Sequence, residues 1–325
     1  MTTRRKKTNL KSSLFKSAST ALGLAVATSF TASGAFAGQC ENVRFSDVGW
    51  TDITATTAVT SELVAGLGYT PSTPLLSVPV TYTSLANADI DVFLGNWMPT
   101  MEGDIAKYRD AGTVETIRAN LEGAKYTLAV PKYAYDAGLK SFADIAKFKD
   151  KLKDRIYGIE PGNDGNRLIQ GMIDDDAFGL KGFKLVESSE AGMISQVSRA
   201  AKRDQWVVFL GWAPHPMNSN IEMEYLSGGD DFFGANYGGA NVYTNVRQNY
   251  TEICPNVGHL LKNLSFTLEM ENKIMGSILD DGMKPDAAAR AWLKTHPEVL
   301  NDWLEGVTTL DGGDALAAVR AHLEL

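Results

Sequence analysis

Val43-Arg44-Phe45-Ser46-Asp47-Val48-Gly49-Trp50-Thr51-Asp52 opens the alternation that decides the architecture of this chain. Val43 to Val48 has the pattern of a strand, Gly49-Trp50 turns it, and Thr51 to Leu67 reads as a helix that Thr51 or Asp52 can cap. Gly68-Tyr69 stops that helix. Leu75 to Thr81 alternates like a second strand, Ser84 begins a short helix, and Ile90 to Leu94 is a compact apolar run closed by Gly95, as in a buried parallel strand. A strand-helix-strand-helix-strand series predicts an α/β fold, a mostly parallel sheet with helices on both faces.

Four rings stand out against this background. Trp50, Trp97, Tyr126 and Trp212 sit in polar or Gly/Pro-punctuated segments, such as Gly95-Asn96-Trp97-Met98-Pro99 and Leu210-Gly211-Trp212-Ala213-Pro214-His215-Pro216. Ligands of open parallel sheets bind beyond the carboxyl ends of the strands. Trp50 follows the first strand and Trp97 the third, so both are expected on one rim, where rings can wall a pocket. With Asp52 two residues from Trp50, the set suggests a cage for a quaternary ammonium ion, which ring faces attract by about 0.5 to 2 kcal/mol per contact. The alternative is four buried core aromatics, since large rings dominate interiors as well as sites.

A second unit of similar pattern begins after Asn120. Tyr126 to Val130 reads as a strand crossing between lobes, Ser141 to Lys153 as a helix capped by Ser141 with Asp144 as its acid, and Ile156 to Ile159 as another strand. Glu160-Pro161-Gly162-Asn163-Asp164-Gly165-Asn166 is a glycine-rich turn opening a helix through about Asp174, and backbone N–H groups at such a turn suit an anion or a polar group. Trp206 to Leu210 then leads as a strand to Trp212. The pattern divides the chain into a first lobe over 38–122, a second over 123–220, and a return segment of the first over 221–325. Trp292 and Trp303 fall in amphipathic helices and read as packing residues.

Residues 1–37 read as an export signal: Arg4, Arg5, Lys6 and Lys7 precede a small, apolar stretch from Ala21 to Thr31, and Ala35-Phe36-Ala37 is a cleavage site. Arg4-Arg5 is followed by Lys6-Lys7 rather than an apolar pair, which favours the general secretory route over twin-arginine export. Taking the six basic residues of this segment from the 31 in the chain leaves 25 against 39 acidic ones, a formal charge of −14. That balance argues against nucleic acid and anionic membrane surfaces and favours cationic ligands. The chain has two cysteines, Cys40 and Cys254. Gln39 before Cys40 argues against lipid anchoring. In an exported chain the two can pair, leaving no free thiol for catalysis.

The segments 43–52, Asp91-Val92-Phe93-Leu94-Gly95-Asn96-Trp97-Met98-Pro99-Thr100, Gly158-Ile159-Glu160-Pro161-Gly162-Asn163-Asp164-Gly165-Asn166-Arg167, Val208 to Asn218 and Val242 to Arg247 closely resemble the periplasmic choline-binding proteins of ATP-driven importers. These belong to a wider group that binds quaternary amines and glycine betaine, and the similarity covers essentially the whole mature chain. The resemblance implies a two-lobed periplasmic-binding-protein fold of type II that closes by a hinge. It implies a trimethylammonium box of Trp50, Trp97, Tyr126 and Trp212, polar partners Asp52 and Asn163, and a disulfide between Cys40 and Cys254. It also implies a permease and an ATPase as partners, a monomer in the periplasm, and no cofactor or metal.

The chemistry of these side chains agrees with that implication. A trimethylated nitrogen has no N–H donor, so ring faces and shape recognise it better than a carboxylate does. Choline keeps one hydroxyl, for which Asp52 as acceptor and Asn163 as donor or acceptor are suitable. Glycine betaine carries a carboxylate that Asp52 would repel, while the amides of Gly162 to Gly165 could still receive it; betaine and acetylcholine are expected as weaker ligands. An exported hydrolase of choline esters is the competing class. His215 stands between two prolines without a metal-binding or nucleophilic partner at recognisable spacing, and no G-x-S-x-G segment occurs.

Overall fold

The computed structural model describes residues 40–325. The expected export segment and its cleavage site at Ala37 lie outside these residues. Among the described residues nine strands run in chain order: β1 (Asn42–Arg44), β2 (Thr70–Ser72), β3 (Val92–Met98), β4 (Val114–Pro131), β5 (Arg155–Tyr157), β6 (Lys184–Val186), β7 (Phe209–Ala213), β8 (Met223–Tyr225) and β9 (Gly239–Arg247). Pairs β1–β2, β5–β6 and β5–β7 are parallel, and Phe45 bridges Val92 in the parallel sense. The larger sheet has the order β3-β9-β4-β7-β5-β6, with β8 also on β4.

One long strand makes the two-lobed form possible. The first twelve residues of β4, Val114 to Lys125, pair antiparallel with β9, and Lys125 to Ala129 pair antiparallel with β7. A single strand thus carries the sheet from one lobe into the other. β4 and β9 run against their neighbours, so the pairs β3–β9, β9–β4, β4–β7 and β4–β8 are antiparallel, and the parallel pairs of the larger sheet are β7–β5 and β5–β6. β8 still pairs with the far end of β4 at Ala129 to Pro131, and Phe142 N donates to Ser227 O, so residues just after 221 remain against the second lobe before β9 leads back.

The helix Thr51–Gly66 lies at the centre of the first lobe, against the helices Leu268–Leu279, Pro285–Thr295 and Ala315–Leu323. Its buried threonines return their hydroxyls to the preceding turn, Thr56 to Asp52 O at 3.0 Å and Thr60 to Thr56 O at 2.8 Å. Such back-bonding lets a threonine-rich helix be buried without unsatisfied hydroxyls at those positions. Gly95 allows this helix onto β3, because a Cβ there would lie 2.8 Å from Ile53 Cγ1. Asp91, buried at 1% exposure, accepts from Arg44 and Arg247 and so fastens β1, β3 and β9 together; these two guanidinium groups hold its carboxyl below the usual range despite burial.

Three local expectations change. Leu75 to Thr81 is not a strand: Leu75 makes one isolated bridge to Asp47, and the helix Val78–Ala86 starts there instead. Pro79 in its first turn explains the choice, since proline suits a helix start and cannot donate to a sheet. Neither Thr51 nor Asp52 caps the helix 51–66; Trp50 holds the cap position without a side-chain bond. The helix over Ser141 to Lys153 is broken into Phe142–Ile145, a 3-10 turn and Lys149–Leu152, although the Ser141/Asp144 capping box forms.

Candidate functional site

A cavity of about 270 Å³ lies where the two lobes meet, lined by Trp50, Asp52, Trp97, Tyr126, Ile159, Asn163, Asp164 and Trp212. All six residues singled out as ligand-binding in the sequence are brought to this one space. Three of the four rings are on strands rather than in loops: Trp97 in β3, Tyr126 in β4 and Trp212 in β7, with Trp50 alone at a turn. Gly95 and Gly211 do not end their strands because antiparallel partners continue to bond beyond them. The rings meet edge to face, Trp97 and Tyr126 at 5.9 Å and Tyr126 and Trp212 at 6.4 Å between centroids.

The polar edges of three rings are tied down. Trp97 Nε1 donates to Asp52 Oδ2 at 3.0 Å, Tyr126 Oη donates to Asn163 Oδ1 at 3.0 Å, and Trp50 Nε1 donates across the cleft to Glu160 Oε1 at 2.6 Å. Each bond fixes a ring so that its face, not its N–H or O–H, is free for a ligand. Asn163 is also the N-cap of the helix Asp164–Asp174, its Oδ1 accepting from Asn166 N at 3.1 Å, while its Nδ2 donates to Asp164 Oδ1. Gly165 leaves room for this arrangement: a Cβ there would overlap the Tyr126 hydroxyl.

Two carboxylate oxygens in the wall lack partners, Asp52 Oδ1 and Asp164 Oδ2. Both residues are 1% exposed, and no Lys, Arg or His lines the cavity. A buried acceptor without a donor is costly, by about 1 to 3 kcal/mol or more for a charged group. The structure therefore places two unpartnered carboxyl oxygens in an otherwise apolar space. Burial pushes the Asp52 carboxyl up to about 8, helped by nearby Glu190 and opposed by the Trp97 bond. Burial likewise raises Glu160 to about 7 and Asp164 to about 6, and behind Asp52 it drives Glu271 well above the usual range, with Asp52 adding to the effect.

Sequence reasoning passed over Asp164, Ile159, Glu160 and Glu190 as parts of this site. Asp164 adjoins Asn163 in the glycine-rich turn, a signal that was available; Glu160 and Glu190 are revealed only by the lobes' contact. His215 stands behind the cavity wall, outside the residues that line it. It is buried, its Nε2 facing Glu190 Oε1 at 3.1 Å and its ring packed edge-on to Trp212 at 4.9 Å. Among the described residues no group of three or more His, Cys, Asp or Glu could hold a metal ion, and no helix is long and apolar enough to cross a membrane. Cys40 and Cys254 form a disulfide, with Cα atoms 5.5 Å apart.

Two lobes joined by a shared strand and closed over a ring-lined cavity define a substrate-binding protein of the periplasmic type. The chain belongs to the family described as the substrate binding domain of the ABC-type glycine betaine transport system, whose model matches residues 41–295. It is 63% identical to an ABC-transporter choline binding protein solved in complex with choline, covering 88% of this chain and 99% of that one at a TM-score of 0.87. The same coverage of this chain and the same identity relate it to an ABC-transporter choline binding protein in an unliganded semi-closed conformation, covering 100% of that chain, with a TM-score of 0.82. Lactococcal OpuAC, closed on glycine betaine, is 26% identical over 81% of this chain and 98% of its own, at a TM-score of 0.73.

Proposed function

We propose that this protein captures choline between its lobes and delivers it to the permease and ATPase subunits of an importer. The cavity carries the reading: ring faces of Trp50, Trp97, Tyr126 and Trp212, two unpartnered carboxylate oxygens, and no basic side chain in the wall. The rings attract a methylated cation and exclude water. Asp52 Oδ1 and Asp164 Oδ2 accept from the alcohol and balance the charge, and Asn163 has a second amide hydrogen to offer. The protein acts by stoichiometric binding and returns its ligand unchanged.

The 63% identical choline complex supports the ligand, and the family supports the extracytoplasmic role. In this reading residues 1–37 direct export to the periplasm and are removed near Ala37, and the mature chain works as a monomer. In the same reading the first lobe spans 38–122 and the second begins at 123, and the pairing of β8 with the end of β4 favours a return to the first lobe at the start of β9 over one at 221.

The family name favours glycine betaine as the second reading. Calorimetric titration with choline and glycine betaine side by side separates the two. Choline is expected to bind much more tightly, with acetylcholine weaker; equal affinities or a preference for betaine reject the assignment.

A further inference from the structure

We propose that Glu190 determines ligand class: it is a carboxylate of the protein itself that occupies, across the closed cleft, the donors a ligand's carboxylate would need. The proposal rests on the choline reading above and extends it to a residue outside the cavity wall.

Glu190 is 4% exposed and begins the helix Glu190–Ala201 in the second lobe. Its Oε2 accepts from Thr51 N at 2.9 Å, and its Oε1 accepts from the Thr51 hydroxyl at 2.5 Å. His215 supplies the third donor. Met217 N donates to His215 Nδ1 at 2.8 Å, so Nδ1 carries the lone pair, the proton resides on Nε2, and Nε2–H points at Glu190 Oε1. A backbone N–H at a helix start, a hydroxyl and an imidazole N–H converging on one carboxylate form an anion site in chemical terms. That site is already filled.

Its position gives the filling a consequence. Thr51 lies between the wall residues Trp50 and Asp52, and the His215 ring packs against Trp212, so the three donors stand directly behind the cage. A zwitterion such as glycine betaine brings a carboxylate into a space where the unpartnered oxygens are Asp52 Oδ1 and Asp164 Oδ2 and a side-chain donor left over is one amide hydrogen of Asn163. The three donors behind the cage that could also receive it, Thr51 N, the Thr51 hydroxyl and His215 Nε2, are spent on Glu190. A cation with an alcohol tail meets no such mismatch. Glu190 also joins the lobes, so choline binding gains from the same bonds.

The test compares Glu190→Gln and Glu190→Ala with the unchanged protein by titration with choline and with glycine betaine. Both variants should weaken choline by several-fold through loss of the cross-cleft bond. The ratio of betaine to choline dissociation constants should fall, by about tenfold in the alanine variant. Removal of a structural contact alone raises both constants together, so an unchanged ratio, or no measurable gain for betaine, overturns the proposal. The glutamine variant, nearly the same shape, keeps the test valid if the alanine variant fails to fold. Should the unchanged protein not prefer choline, the functional reading falls and this proposal with it; a choline preference that both variants retain in full removes this proposal alone.

Discussion

Tyr126 and Trp212 are register partners across the antiparallel β4–β7 pair, so two walls of the cage are opposite neighbours on one sheet face. Their rings meet at 80° with centroids 6.4 Å apart. The hydroxyl of Tyr126 is then fixed by Asn163 above a glycine, Gly165, that tolerates no side chain. A Gly165→Ala substitution should displace the tyrosine ring, cost about 1 to 3 kcal/mol through overpacking, and weaken ligand binding. Tyr126→Phe in that background removes the clashing oxygen and should restore part of the thermal stability. Failure of the second change to recover anything would mean that the clash is absorbed elsewhere.

Trp97→Ala removes a ring face and the donor to Asp52 together. Choline affinity should drop by tenfold or more, at about 0.5 to 2 kcal/mol for the cation contact plus the freed buried acceptor. Titration alongside a melting curve checks this, since a fold loss of similar size would assign the effect to the core instead.

Asp52→Asn tests the charge without changing the size. It should weaken choline more than glycine betaine, because the cation loses its compensating carboxylate while the zwitterion loses a repulsion. Parallel losses for the two ligands would contradict the role given to Asp52.

The raised carboxyls make closure depend on pH. Asp52 at about 8, Glu160 at about 7 and Asp164 at about 6 all hold protons in the closed cleft more tightly than in an open or unfolded chain. Stability from such groups is fully present below the ordinary carboxylate range and is lost as pH rises through the raised values. The ligand-free protein should therefore become less stable between about pH 4 and 8, while bound choline replaces the missing proton as counter-charge. The gain in melting temperature on adding choline should be larger at pH 8 than at pH 5; a gain that shrinks with pH would contradict this account.

The Cys40–Cys254 bridge spans 214 residues and ties the start of the described chain to the helical part of the return segment. It lies away from the cavity wall. Replacing both cysteines with serine should lower stability by about 2 to 4 kcal/mol through the freed unfolded chain, with choline affinity nearly unchanged. A marked loss of affinity would show that the bridge shapes the cleft.

Much of this molecule can be read from local pattern. The helix after Trp50, the strand closing near Leu94 and the Ser141/Asp144 capping box depend on residues a few positions apart and appear in the structure, whereas the second strand lies at Thr70–Ser72 and not over Leu75 to Thr81. The three tryptophans were identifiable because tryptophans beside Gly and Pro do not fit a helix stripe. Their strand placement was hidden, since Gly95 and Gly211 look like terminators until an antiparallel neighbour is known to bond beyond them.

What the chain's order of residues determined by itself was the α/β class and the inventory of aromatic and acidic groups, because periodicity and side-chain chemistry are local properties. Which acids line the cavity, which ring is tied to which carboxylate, and the capture of Thr51 by Glu190 from 139 residues away were decided only when the lobes came together. Desolvation and unpaired acceptors are properties of an enclosed space, and that space exists only in the folded, closed protein.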